Sequence, residues 1–67
     1  MSIAKSSEIT AASDKSFEDA IRKGIKRFSK TISHIEGAWI KEQKVVVKDG
    51  EVDEFRVTMI VTFVLND

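Results

Sequence analysis

The sequence predicts an α+β fold, a three-stranded antiparallel sheet packed against one helix in the order β-α-β-β. Three observations carry this expectation. From Phe55 onward the chain alternates, with Phe55, Val57, Met59, Val61, Phe63 and Leu65 on one side and Arg56, Thr58, Ile60, Thr62 and Val64 on the other. That period of two marks a long strand with one strongly apolar face. Phe17, Ala20, Ile21, Ile25, Phe28 and Ile32 recur at spacings of three and four, the single stripe of an amphipathic helix. Between the last two apolar runs stands Asp49-Gly50, a pair that tolerates positive φ at both positions and so marks a type I′ hairpin.

In chain order, residues from Ile3 to about Ala11 read as the first strand, and Ser13 to Ser16 as the turn that follows. Ser16 is a good N-cap, with Asp19 three places later as the acid of a capping box. The helix is expected from Phe17 to about Ser33. Gly24 lies beside its apolar stripe, where it costs about 1 kcal/mol of propensity relative to alanine; close approach by the sheet or by another subunit is a reason to keep it. The second strand is expected from Ile35 to about Val47. A two-residue loop at Asp49-Gly50 sets Lys48 opposite Glu51. An unbroken register then places Ala38/Val61, Ile40/Met59, Glu42/Val57 and Glu36/Phe63 on the helix side, and Gly37/Thr62, Trp39/Ile60, Lys41/Thr58, Gln43/Arg56 and Val45/Glu54 on the far side.

The chain has 67 residues and reads as a single domain over residues 1–67, small enough that its core is marginal on its own. Domains of this size usually add disulfides, a metal or oligomerisation. There is no cysteine and only one histidine, so oligomerisation is the expected source of extra stability. Eleven basic residues balance eleven acidic ones, which argues against a dedicated nucleic-acid binder. No apolar run approaches a membrane span and the N-terminus lacks the apolar core of a signal peptide, so a cytoplasmic protein without membrane partners is expected. An enzyme is not expected: the lone His34 has no adjacent serine, there is no cysteine nucleophile, and no carboxylate pair stands on an apolar wall.

The far side of the predicted hairpin is the expected site. It would expose Trp39 and Ile60 beside threonines and a Gln43/Arg56 pair, and contiguous exposed apolar surface generally signals an interface or a ligand site. The basic side of the helix, Arg22, Lys23, Lys26, Arg27 and Lys30, reads instead as a solvated face. Glu18/Arg22 and Asp19/Lys23 sit at i,i+4 with the acid first, and the charges complement the helix dipole.

Several segments resemble the dodecin family of small flavin-binding proteins. Ser16-Phe17-Glu18-Asp19-Ala20 is similar to the dodecin helix start Ser-Phe-Glu-Glu-Ala, and Lys30-Thr31 followed by Ile35 to the helix exit. Glu42-Gln43, six residues before Asp49-Gly50, resembles the acid-glutamine pair of the middle strand. Phe55-Arg56-Val57-Thr58 and Val61-Thr62-Phe63-Val64-Leu65 resemble the last strand, often Tyr-Gln-Val-Thr and Val-x-Phe-x-Leu. The resemblance implies a hollow homododecamer of trimers that stores or sequesters flavins (FMN, FAD or riboflavin). In the family a tryptophan near the start of the middle strand stacks the flavin and a glutamine on the last strand contacts it. Carried over, these positions fall on Gly37 and Arg56. Trp39 lies two residues beyond Gly37, on the same face and about 7 Å along the strand. The expected ligand-binding set is therefore Gly37, Trp39, Gln43 and Arg56. Trp39 either stacks a planar ligand or packs a subunit interface. Arg56 either grips a phosphate or carboxylate or pairs with Glu54, Gln43 or a neighbouring acid. The alternative is a structural dodecamer without flavin that binds cations or another cofactor such as coenzyme A.

Overall fold

Four elements fill residues 3–65, the part of the chain that the computed structural model describes: β1 (Ile3–Ser13), α1 (Phe17–Phe28), β2 (Ile35–Lys48) and β3 (Glu51–Leu65). The expected β-α-β-β order and antiparallel pairing are present, and β3 lies between β1 and β2. The strand with the cleanest alternation thus takes the centre, where its odd-numbered side chains find cover on both sides. Val57, Met59 and Val61 are fully buried and Phe63 nearly so. Burial of a side chain of this size contributes about 1.5–3 kcal/mol.

Helix α1 crosses β1 and β3 and leaves β2 largely untouched. Its own Ala20 is fully buried against the sheet, with Phe17, Ile21, Ile25 and Phe28 half-buried around the same cluster. Edge-to-face ring contacts secure its two ends, Phe17 on Phe55 at 5.2 Å and Phe28 on Phe63 at 6.3 Å between centroids. The apolar side of β2 lacks this cover, and Ala38, Gln43 and Val45 are exposed on it.

The helix ends at Phe28, five residues before the expected end. The Ser29 hydroxyl donates to the Lys26 carbonyl at 2.7 Å, and turn bonds from Lys30 to Arg27 and from Thr31 to Phe28 replace the helical ladder. Serine competes in this way with helical hydrogen bonding, and β-branched Thr31 and Ile32 add little to retain it. Ile32 stays half-buried, so the apolar stripe outlasts the helix. His34 then takes φ 63°, a left-handed conformation in which histidine is enriched, and its carbonyl accepts from the Val64 N–H at 3.1 Å. At the other turn, Asp49 (φ 52°) and Gly50 (φ 78°) both adopt the positive φ that type I′ requires.

The expected register holds from Gly37/Thr62 to Ile40/Met59 and again at Val47/Val52 and Lys48/Glu51, but not between. Lys41 is an extra residue, so that Glu42 faces Thr58, Gln43 faces Val57, Lys44 faces Arg56 and Val45 faces Phe55; Asp53 is the compensating extra residue on β3. A third bulge leaves Glu36 unpaired and sets Ile35 opposite Phe63. An unbroken register would set Glu42 beside Val57 and Glu36 beside Phe63 on the apolar side. The bulges move both acids away and bring Val45 and Ile35 to the apolar side. They also correct two expectations: Gln43 is not paired with Arg56, and Glu36 and Glu42 do not stand on the helix side.

Gly24 sits where the helix comes closest to the sheet. A Cβ built on it would lie 2.8 Å from the Ala11 Cβ and 2.9 Å from the Met59 Cε. Of the two reasons for a glycine here, approach by this chain's own sheet is the one observed. Gly24→Ala should gain about 1 kcal/mol of helix propensity but lose about 1–3 kcal/mol to overpacking. The expected net is destabilisation, read as a lower urea midpoint, and Ala11→Gly added to it should recover part of the loss.

The helix start is held by charge as well as by its cap. Ser16 Oγ accepts from the Asp19 N–H at 2.9 Å, as expected of an N-cap. The Asp19 carboxylate does not close a capping box; it accepts from buried Ser13 Oγ at 2.6 Å and pairs with Lys23 at 3.1 Å. The Ser13 hydroxyl bond, followed by the one from Lys23, holds the Asp19 carboxyl below the ordinary carboxylate range. A lowered folded pKa gives stability that is present above the unfolded value and lost as pH falls through the folded one. Wild type should therefore lose stability more steeply than Asp19→Asn as pH falls below about 5, measured by urea denaturation at a series of pH values. Parallel curves would remove Asp19 from the account.

Candidate functional site

The far face of the sheet is a polar platform with one apolar centre. Its rungs follow from the register, because directly opposed residues share a face. At one end Gly37, Thr62 and Ser6 lie side by side; next come Trp39, Ile60 and Glu8; then Lys41 and Glu42 beside Thr58 and Thr10; then Lys44, Arg56 and Ala12. Period-two alternation on β3 fixes Ile60, Thr58 and Arg56 here for the same reason that it buries Val61, Met59 and Val57 on the other side.

Trp39 is 68% exposed, the most exposed large apolar side chain among the described residues. It stands on edge strand β2 against Ile60. Across β3 from it, Lys41 Nζ meets Glu8 Oε1 at 3.2 Å, so an ion pair bridges the outer strands beside the indole. Both members are about half exposed, and a pair of this kind contributes about 0.2–1 kcal/mol. The Thr10 and Thr58 hydroxyls meet at 3.3 Å. A Cβ placed on Gly37 would touch nothing within 4 Å, so the position next to Trp39 is open space.

Arg56 donates through Nε to Glu54, two residues along the same strand. Lys44 stands directly opposite Arg56, a like-charge cross-strand pair that is unfavourable unless something negative lies near it. Glu54 supplies part of that charge. Four residues separate Ile60 from Arg56 along β3, so the indole and the guanidinium are about 13 Å apart along the strand. They cannot grip the same ring, but they can hold two ends of an extended ligand.

Of the four expected site residues, Gly37, Trp39 and Arg56 share the far face. Gln43 does not, because the Lys41 bulge turns it to the side of Val57. Glu8, Lys41 and Lys44 are additional polar groups on the platform. Glu8 was legible in principle, since Ile9 and Ala11 on the apolar side send Glu8 and Thr10 to the other. Among the described residues no group of three or more His, Cys, Asp or Glu side chains could hold a metal ion. No helix among them is long and apolar enough to cross a membrane.

A single helix laid on one side of a three-stranded antiparallel sheet, with an exposed aromatic on the other side, defines a small α+β scaffold whose free sheet face is available to ligand or partner. The family model for dodecin matches residues 3–66, and the chain belongs to the dodecin family. The crystal structure of a Thermus thermophilus dodecin variant superposes with a TM-score of 0.94 at 27% identity over all of both chains. The dodecin of Streptomyces davaonensis gives 0.94 at 29% identity, covering 98% of this chain and 97% of its own. The calcium dodecin of Mycobacterium tuberculosis, a calcium-chelating antigen with a calcium-binding site, gives 0.83 at 25% identity over 96% of this chain and 91% of its own. A comparison with curated protein sequences finds no match.

Proposed function

We propose that this chain is a non-catalytic, cytoplasmic binding protein that assembles as a hollow homododecamer of trimers and buffers a small planar ligand, with flavin as the leading candidate. The observation that carries the reading is the 68% exposed Trp39 beside the open Gly37 position on the far sheet face. An indole in that setting offers an unobstructed face to a planar ring. The vacated Gly37 position leaves room for the ring to slide toward Thr62 and Ser6. Arg56 and Lys44, four residues along β3 and across from each other, suit an anionic group at the far end of the ligand. This spacing favours FMN or FAD over riboflavin. The set proposed for binding is Gly37, Trp39 and Arg56, joined by Lys44. Gln43, on the opposite side, is not part of it.

A second reading is cation binding, as the calcium dodecin of M. tuberculosis suggests. Glu8 and Glu42 are the carboxylates on the platform nearest Trp39. A cation held there would need further ligands, because the described residues of one chain supply too few.

Titration of riboflavin and FMN, followed by the quenching of flavin fluorescence, tests the first reading. FMN should bind more tightly than riboflavin. Trp39→Ala should weaken both roughly tenfold, the loss of about 0.5–1.5 kcal/mol of stacking together with buried area. Arg56→Gln should weaken FMN and leave riboflavin near its wild-type value. No quenching by either flavin at micromolar concentration would sink the flavin assignment, and stabilisation by calcium alone would favour the second reading.

A further inference from the structure

The cationic end of the platform holds an acid of its own. Glu54 precedes Arg56 by two residues on β3, so it shares the far face and lies about 7 Å further from Trp39. Neither neighbouring strand gives it a cation. Val46 stands opposite it on β2, and β1 stops one rung short, where Ser13 meets Phe55. The Arg56 Nε–H therefore donates to Glu54, and both side chains are partly buried. The bond ties the guanidinium to the turn end of β3, away from the indole.

Three charges meet at this end, Lys44 and Arg56 directly opposed and Glu54 cancelling one of them. A phosphate monoester carries about −1.5 to −2 at neutral pH. Bringing it to the Arg56 fork places it within reach of the Glu54 carboxylate. It must share the guanidinium with a like charge or displace that charge. A neutral ligand on Trp39 meets no such cost. Six residues of strand separate Glu54 from Ile60, about 20 Å, well beyond the screening length of about 8 Å.

We propose that Glu54 is a specificity-determining residue of the platform. It competes with a ligand phosphate for Arg56 and so holds down the preference for phosphorylated over neutral planar ligands. This deepens the reading of the far face as a ligand platform and rests on it. The chemistry that Glu54 discriminates is a phosphate monoester carried at one end of a planar ring system. The same carboxylate lets Lys44 and Arg56 stand opposite each other when no ligand is bound.

The ratio of FMN to riboflavin affinity in the full chain, read by flavin fluorescence quenching, tests it. Glu54→Gln keeps an acceptor for the Arg56 Nε–H and removes only the charge. It should tighten FMN roughly three- to tenfold and steepen the loss of FMN affinity with salt. Riboflavin should stay near its wild-type value, which also reports that the fold and the Trp39 end are intact. In an Arg56→Gln background the gain should largely disappear, because Glu54 then has no guanidinium to compete for. An unchanged ratio in Glu54→Gln, weaker FMN binding, or the same gain without Arg56 would each overturn the competition while leaving flavin binding in place. A wild-type chain that quenches neither flavin would overturn the flavin reading and this proposal with it.

Discussion

One helix has to cover the apolar side of three strands, and it is wide enough for two. That mismatch governs the rest of the molecule. Met59, Val57 and Val61 on the central strand are sealed because α1 lies over them, and Gly24 lets the helix come close enough to seal them. The same side of β2 is left open, with Val45 39% exposed. The consequence appears in the dimensions. A compact chain of this length would have a radius of gyration of about 11 Å and about 4,250 Å² of accessible surface, whereas this one has 13.8 Å and 5004 Å². The long axis of 52 Å is close to the full length of β3 as an extended strand. We propose that copies of the same chain supply the missing cover.

The bulges in the hairpin settle which chemistry each face receives. Two glutamates lie at positions that an unbroken ladder would press onto the apolar side, and a displaced residue at Lys41 and another at Glu36 relieve both. A local irregularity thereby has a functional outcome. Lys41 stays on the far face to reach Glu8, Lys44 comes to lie opposite Arg56, and Gln43 leaves the platform. The platform that results has an aromatic and an open position at one end and a pair of cations at the other.

The scaffold was legible because its signals are local and repetitive. Alternation from Phe55 to Leu65, the three-and-four spacing from Phe17 to Phe28 and the Asp49-Gly50 turn each constrain the backbone within a few residues, and all three appear as expected. The end of the helix was misread because Ile32 continues the apolar stripe although Ser29 has already turned the backbone. The register was legible beside the turn at Val47 and Lys48 and again from Gly37 to Ile40, and lost between these stretches and at Glu36. A bulge is a local change in pairing that no periodicity within β2 displays. Glu42, a charge set beside Val57 by an unbroken register, was the visible mismatch. The Glu8–Lys41 pair was hidden because it depends on how β1 aligns with β3, Glu8 with Ile60, across a long stretch of chain in which no turn fixes the register.

If assembly supplies the missing cover, folding and association are one equilibrium, and the apparent stability depends on how much protein is present. The urea midpoint of the wild-type chain, measured over roughly a hundredfold range of protein concentration, tests this most directly. The account predicts a midpoint that rises with concentration. A midpoint independent of concentration, in a chain that remains monomeric throughout, would contradict it.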